Sequence, residues 1–547
     1  MGHAVLDWMV LHPAISTSVA AISVYILFNY VRQKHQPVLS SLKRPINAPN
    51  KLPLLGHTIP FTLDTPNFTT MLTKRFHGIP LRLRLLATDI VYLTSSEHVA
   101  ALFRQSSEVT NRPYRKWVNS TFSVPKEFQN FFYADTTGIS RTPLPGTDTK
   151  PENRVEYIMH SLLVEFLTGS RLQALAARFT LNMEDRLRKC GSVDADADTE
   201  HDCLYRFVKH SIFHSSVKAL FGTGLFDIDP EFSTRFWDFE MGVPELGKGL
   251  PRFVYPSQHR ARDACLETVR AWHENLDKKR TADPDLAARL SQQDYDDTFG
   301  SCIVKKRHAA FSRMDVMSID VRAAEDFALI WGNANTTHAT FWLIHAIVRS
   351  SSTLERFRFE IQKVEVRGEG GFTTYDVDAL CAIPFVQSLY AETLRLYVCN
   401  IILRTPHSRT LSIDGWGVQK GEIVAAVTYP MHRDSSRFNT GSEKDPRPLD
   451  EFWAERFLVK SGVDRDGVEF SLKGSEDAWF PYGGGSSICP GRFFAKQEML
   501  VTAALLIGNY DVVLASKEVE IDWRYFGTGV LGVKGKQPFQ LRSRARL

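Results

Sequence analysis

Two rhythms of apolar and polar positions run along this chain. Over residues 155–188, 205–221 and 321–350 apolar side chains recur at three- and four-residue spacing, which predicts long helices with a buried face. A period of two appears in PLRLRLLATDIVYLT, residues 80–94, and predicts two short strands there. Strand-like pieces return at 418–428 and from 512 onward. Polar stretches at 142–153, 191–202 and 291–300 read as surface loops, and there is no internal repeat. The pattern predicts a fold that is mainly α with a minor β part.

The first residues follow neither rhythm. AISTSVAAISVYILFNYV, residues 14–31, is 18 residues without a charge. As a helix it would be about 27 Å long, close to the hydrocarbon thickness of a bilayer. Arg32, Lys34 and His35 follow at once, so the positive-inside bias puts the C-terminal side in the cytosol. A cleaved signal would have a basic leading segment, which is missing. Residues 1–35 are therefore read as a single-pass anchor. In residues 36–60, Pro45, Pro49, Pro53, Gly56 and Pro60 predict a stiff, helix-free connector, and residues 61–547 a catalytic domain.

Composition narrows the function. Among 547 residues, 66 Lys and Arg against 62 Asp and Glu leave a net charge of +4, with no basic run suited to a phosphate backbone, so nucleic acid is not an expected partner. Seven cysteines without a C-x-x-C pair argue against a disulfide framework or a zinc ribbon and favour a reducing compartment. P-loop, zincin and nucleophile-elbow motifs are absent. The G-x-G-x-x-G at 527–532 precedes no helix and reads as a β-turn region.

The densest chemistry surrounds Cys489 in WFPYGGGSSICPGRFFAKQEML. Three glycines let backbone approach a planar ligand, and Pro490-Gly491 opens a helix whose N-terminus is expected to lower the thiol pKa and favour the iron-ligating thiolate. Tyr482, Gly485, Ser487, Cys489 and Gly491 together resemble the haem signature F-x-x-G-x-R-x-C-x-G of the cytochrome P450 family. Tyr482 stands where that family has Phe, and Ser487 where it has a basic residue for a haem propionate.

Further marks carry the same resemblance. E-x-x-R occurs three times, and two copies, Glu267/Arg270 and Glu355/Arg358, read as solvated helix pairs. Glu392/Arg395 lies in the apolar helix SLYAETLRLY, 97 residues before Cys489, and AERF adds Arg456, which the resemblance implies as a structural triad. Arg404, in IILRTP, resembles the residue aimed at a propionate. WGNANTTHATFW, 331–342, resembles the oxygen-binding A-G-x-[DE]-T-T, with Thr336 as the alcohol and Asn335 replacing the acid. The Asn and the run A-T-F-W are similar to the branch of cholesterol 7α-hydroxylase and prostacyclin synthase.

The resemblance implies a cytochrome P450 fold, haem b on the Cys489 thiolate, and catalytic roles for Thr336 and Asn335 in proton delivery to O2. It implies a monooxygenase of the endoplasmic reticulum membrane with its catalytic domain facing the cytosol. Electrons would come from NADPH-cytochrome P450 reductase, docking near Arg492 and Lys496. The substrate is expected to be a bulky apolar small molecule, a sterol, terpenoid or other secondary metabolite, against residues 122–133, Val398, Ile401, Ile402 and Val530. Two alternatives stay open: a haem-thiolate isomerase or dehydratase acting on a peroxide, and a non-catalytic haem-binding protein.

Overall fold

A computed structural model describes residues 42–49, 52, 55–86, 88–191, 199–283, 285–367, 372–461 and 467–544. The apolar run at 14–31 lies outside the described residues. Among those described, no helix is long and apolar enough to cross a membrane.

The elements that frame the site are helices α1 (Ser96–Arg104), α2 (Arg112–Thr121), α3 (Gly169–Gly191), α4 (Leu204–Phe221), α5 (Phe232–Met241), α6 (Ile319–Trp331), α7 (Ala334–Val348), α8 (Pro384–Tyr397) and α9 (Arg492–Asn509). With them stand strands β1 (Ile46–Asn47), β2 (Leu81–Leu85), β3 (Thr88–Tyr92), β4 (Val109–Thr110), β5 (Val398–Pro406), β6 (Ile423–Val427) and β7 (Thr528–Val530). These strands form one mixed sheet in the order β1-β2-β3-β6-β5-β7, with β4 also pairing to β5. The mainly helical architecture with a smaller sheet agrees with the reading from the pattern.

Helix α7 runs through the core, buried at nearly every position, because its apolar residues encircle the axis. It packs on α4, α8 and α9. The period-two stretch at 80–94 does give the hairpin β2-β3, in the register Leu81 to Tyr92.

Three expectations need correction. The helix read over 155–188 is two, Val155–Phe166 and α3, because the Thr168 hydroxyl bonds back to the Val164 carbonyl at 2.7 Å and Gly169 follows with a positive φ of 61°. The helix read over 321–350 is also two, parted at Gly332-Asn333. There the Gly332 N–H is shared between the Ala328 and Leu329 carbonyls, and the Asn333 N–H reaches only back to Ile330. Finally, the proline-rich lead is not free of helix. Pro60 sits in the first turn of Thr58–Leu63, where a missing N–H costs nothing, and β1 is stitched in parallel to β2.

One buried ion cluster ties α8 to the loops after it. Glu392 accepts from Arg395 Nε at 2.7 Å and Nη2 at 2.9 Å, from Arg456 Nε at 2.9 Å, and from the Trp453 N–H at 3.0 Å. One carboxylate faces two guanidiniums in the interior, and backbone carbonyls absorb the excess positive charge. Arg456 donates to the oxygens of Pro448 and Glu451, and Arg395 to that of His432. The other two E-x-x-R copies are not internal pairs. Arg270 turns to Glu274 and Asp320, and Arg358 to Asp511.

Removing one partner of such a cluster strands buried charge. Glu392→Ala is expected to destabilise the fold by about 3–5 kcal/mol in denaturant titration, while Glu355→Ala changes it by less than about 0.5 kcal/mol. Equal, small effects would show that the cluster is not a structural centre.

Candidate active site

Cys489 lies two residues before the N-cap of α9, on a loop pinned from several sides. Its own N–H donates to the Tyr482 carbonyl at 3.1 Å, closing residues 482–489 on themselves. Strand alternation supplies the next contacts, since Asn400, Ile402 and Arg404 share one face of β5 and all meet the loop. Asn400 donates to the Pro481 carbonyl at 3.1 Å, Arg404 Nη2 donates to the Gly484 carbonyl at 3.3 Å, and Ile402 lies beside Gly483. The glycines are required by this packing. A Cβ at Gly484 would fall 2.2 Å from Phe103 of α1, and one at Gly485, where φ is +67°, 2.6 Å from Ser106. A Cβ at Gly491 would meet the Cys489 sulfur at 3.8 Å and the Leu167 side chain at 3.9 Å, both ordinary contacts.

The thiol itself behaves differently from the expectation. Burial raises the Cys489 pKa, outweighing the bonds from the Gly491 and Arg492 N–H groups and the Arg492 charge. The helix end moderates that penalty without reversing it. Tyr482 keeps a ring beside the cysteine, and its hydroxyl meets that of Tyr390 in α8 at 2.7 Å. Arg404 is buried and has no carboxylate partner among the described residues, and burial pulls its pKa down to about 10. The Leu403 and Gly484 carbonyls take its N–H groups, at 2.9 and 3.3 Å, without neutralising its charge, which suits it to receive an anion.

On α7, which packs against α9, the hydroxyls divide into spent and free. Thr337 donates to the Asn333 carbonyl and Thr340 to the Thr336 carbonyl, at 3.4 and 2.7 Å. The Thr336 hydroxyl bonds no protein atom among the described residues and is not sealed from the space beside the helix. Asn335 turns elsewhere, its Oδ1 accepting from the Val530 N–H at 2.8 Å.

Sequence reasoning missed the acid behind the helix break. Glu498 of α9 is buried, and both its oxygens accept from Asn333 Nδ2, at 3.0 and 2.9 Å, with Ser216 bonding one of them. Burial raises its pKa to about 8, against the lowering by Ser216 and Asn333. An acid nine residues after Cys489 carries no signature, and only the run of small polar residues at 332–337 hinted that something fills the break.

Other expected contacts are rearranged. Phe122 and Phe128 are wholly buried, and Phe122 packs edge-on to Phe239 and Phe327 as part of the core. Val398 pairs with Val530 across β5 and β7, and Ile401 lies beside Gly527, whereas Ile402 faces the cysteine loop. Lys496 folds inward to the Cys381 carbonyl at 3.1 Å, away from the loop, whereas Arg492 turns back to the Cys489 carbonyl at 3.0 Å and braces it. His273, His308 and Asp326 lie together away from the loop, but Arg307 already pairs with Asp326 at 3.0 Å, which makes them a neutralised core network.

The cytochrome P450 family model matches residues 237–537. Cytochrome P450 monooxygenase efuG of Hormonema carpetanum is 29% identical over 529 residues, covering 92% of this chain and 90% of that protein. Cytochrome P450 monooxygenase fsoE of Humicola fuscoatra is 28% identical over 536 residues, with 92% and 88% covered. Cholesterol 7-alpha-monooxygenase of Cricetulus griseus is 24% identical over 502 residues, with 88% and 90% covered. These likenesses define a haem-thiolate oxidoreductase of the monooxygenase class. The chain belongs to the cytochrome P450 family, whose members carry haem on a cysteine thiolate and use a redox partner, O2 and an organic substrate.

The Glu498 environment makes a pH prediction. The folded chain holds this proton up to about pH 8, whereas an unfolded glutamic acid releases it near pH 4.5, so stability falls as pH rises between these values. Glu498→Gln removes that component, at most about 1.4 kcal/mol per pH unit. Urea midpoints at pH 6 and pH 8 should therefore differ less in the variant than in the wild type. Equal differences in both proteins would contradict a protonated Glu498.

Proposed function

We propose that Cys489 would hold the haem iron through its thiolate and that this chain oxygenates a bulky apolar substrate with Thr336 controlling the protons. The residues present fit the cofactor. The glycines at 483–485 allow close backbone approach, Cys489 is open on one side of its otherwise enclosed loop, and Arg404 is a buried cation in want of an anion such as a propionate. Ser487 brings no charge to that side, which leaves Arg404 to carry more of the propionate contact. Haem, when bound there, supplies the iron at which O2 is reduced and its O–O bond cleaved, with the thiolate as electron donor.

The carrying observation is the free hydroxyl of Thr336. Hydroxyls on a helix are ordinarily satisfied by the carbonyl one turn back, as Thr337 and Thr340 are. One left unbound beside the helix break can accept a hydrogen bond from water and donate its own proton in turn, which fits it to relay protons there. Glu498, behind the same break, is pushed by burial toward its protonated form while Asn333 Nδ2 donates to its oxygens and fixes the carboxyl in position, so it serves as an inner proton reservoir.

Substrate and setting follow from surfaces. A sterol, terpenoid or other secondary metabolite suits the apolar residues Val398, Ile401 and Val530, and the named activity of the Cricetulus griseus relative on cholesterol supports this class. NADPH-cytochrome P450 reductase is the proposed electron donor. The anchor at 1–35 would hold the protein on the endoplasmic reticulum membrane with the catalytic domain in the cytosol. Ile59, Leu63, Leu250, Phe253 and Val254, all exposed, support contact with the lipid interface.

The test is coupling. With a substrate that shifts the haem spin state, Thr336→Ala should keep its haem and its NADPH consumption yet release hydrogen peroxide in place of product. Unaltered coupling, together with fast NADPH-independent conversion of an organic peroxide, would move the chain to the isomerase reading.

A further inference from the structure

One face of α7 is spent on the C-terminal segment. Asn335, His338 and Trp342 stand at i, i+3 and i+7, so their side chains leave the helix in a single stripe. Asn335 Oδ1 accepts from the Val530 N–H at 2.8 Å, and Trp342 Nε1 donates to the Leu531 carbonyl at 2.7 Å. His338 Nε2 meets Glu240 Oε1 at 3.0 Å, and the other Glu240 oxygen accepts from the Tyr525 hydroxyl at 2.8 Å. Three points of residues 525–531 are thus fastened to the helix that carries Thr336.

The fit is close at the turn. Gly529 has φ of +149°, and a Cβ there would lie 1.9 Å from Asn335 Oδ1 and 2.5 Å from its Cγ. Val530 and Leu531 are buried, and β7 is held on its other side by β5, Val398 opposite Val530 and Cys399 opposite Gly529. Asn335 therefore sits against a bare backbone with its acceptor oxygen already engaged. An oxygen acceptor at this position meets the demand, and the amide supplies it without a titratable proton.

We propose that Asn335 is a positioning residue, latching the 527–531 turn against α7 so that the turn becomes a fixed wall beside Thr336 and sets which carbon of the substrate is oxidised. The wall's role rests on the monooxygenase reading; the latch is a property of the polypeptide alone. Without the bond, the turn keeps its ladder to β5 but loses its fixed distance from the helix, and a bulky apolar substrate gains a second way to lie. Gly529 belongs to the same device, since any side chain there pushes the amide away.

The experiment uses the full-length haem-loaded protein in detergent and two readouts. Hydrogen–deuterium exchange of peptides spanning 526–534 should quicken roughly fivefold to tenfold at the turn in Asn335→Ala and in Gly529→Ala, the loss expected for one buried hydrogen bond. Asn335→Asp, whose carboxylate can accept the same N–H, should keep most of the protection. The ferrous-CO spectrum shows that each variant is folded around its haem. With a bulky apolar compound that shifts the spin state, the Ala variants should share one altered product distribution, and Asn335→Asp should retain that of the wild type. Unchanged exchange in Asn335→Ala overturns the latch. Faster exchange with an unchanged product distribution overturns its role in specificity. Faster exchange with no NADPH-dependent product from the wild type supports the latch and counts against the monooxygenase reading.

Discussion

A single buried carboxylate, Glu392, must satisfy two guanidiniums, and the geometry of the cysteine loop descends from that constraint. Arg395 is fixed by its two bonds to Glu392 and directs its remaining nitrogen to the His432 carbonyl at 2.8 Å. His432 in turn holds Nδ1 at 3.1 Å from the Arg395 carbonyl, so Nδ1 carries the proton and Nε2 is left to accept the Phe480 N–H at 3.3 Å. Burial and the neighbouring guanidiniums drive the His432 pKa down to about 3, which keeps this tautomer neutral across the physiological range. Phe480 opens the glycine loop. The ion cluster and the cysteine are therefore joined by one unbroken line of bonds.

On the opposite side the governing constraint is an interrupted helix. Gly332 and Asn333 end α6, and the Asn333 amide is drawn to Glu498 of the helix that follows the cysteine. The break leaves the next residues with distinct fates: Asn335 is committed to the C-terminal turn, Thr337 to a carbonyl, and the Thr336 hydroxyl to no partner among the described residues. Structural and chemical duties thus fall on adjacent side chains that leave the helix at different angles.

Much of this was legible in the sequence where the signal is local. The cysteine loop declares itself because its glycines, proline and cysteine stand within ten residues, and the hairpin at 80–94 because its alternation is local too. Glu392 was separable from the other two copies of its motif by apolar context alone. What escaped is long-range. Asn335 and Val530 are 195 residues apart, so nothing near Asn335 says that its oxygen is taken. Glu498 looks like any acid on a helix until the fold buries it. The direction of the Cys489 shift differs from the expectation because a helix end is visible in sequence and the desolvating walls that the fold brings around the loop are not. Helix continuity at 155–188 and 321–350 failed for a related reason: apolar periodicity persists across a break that one glycine and one side-chain bond produce.

The central claim is that Cys489, held by this loop, is the sulfur that binds the haem iron. It is tested most directly by the ferrous-CO difference spectrum of the purified full-length protein and of Cys489→Ser, each reconstituted with equal haem. A neutral hydroxyl cannot replace a thiolate as the strong axial donor, so the wild type should show the long-wavelength Soret band and the variant should lack it. The same band in Cys489→Ser would contradict the account.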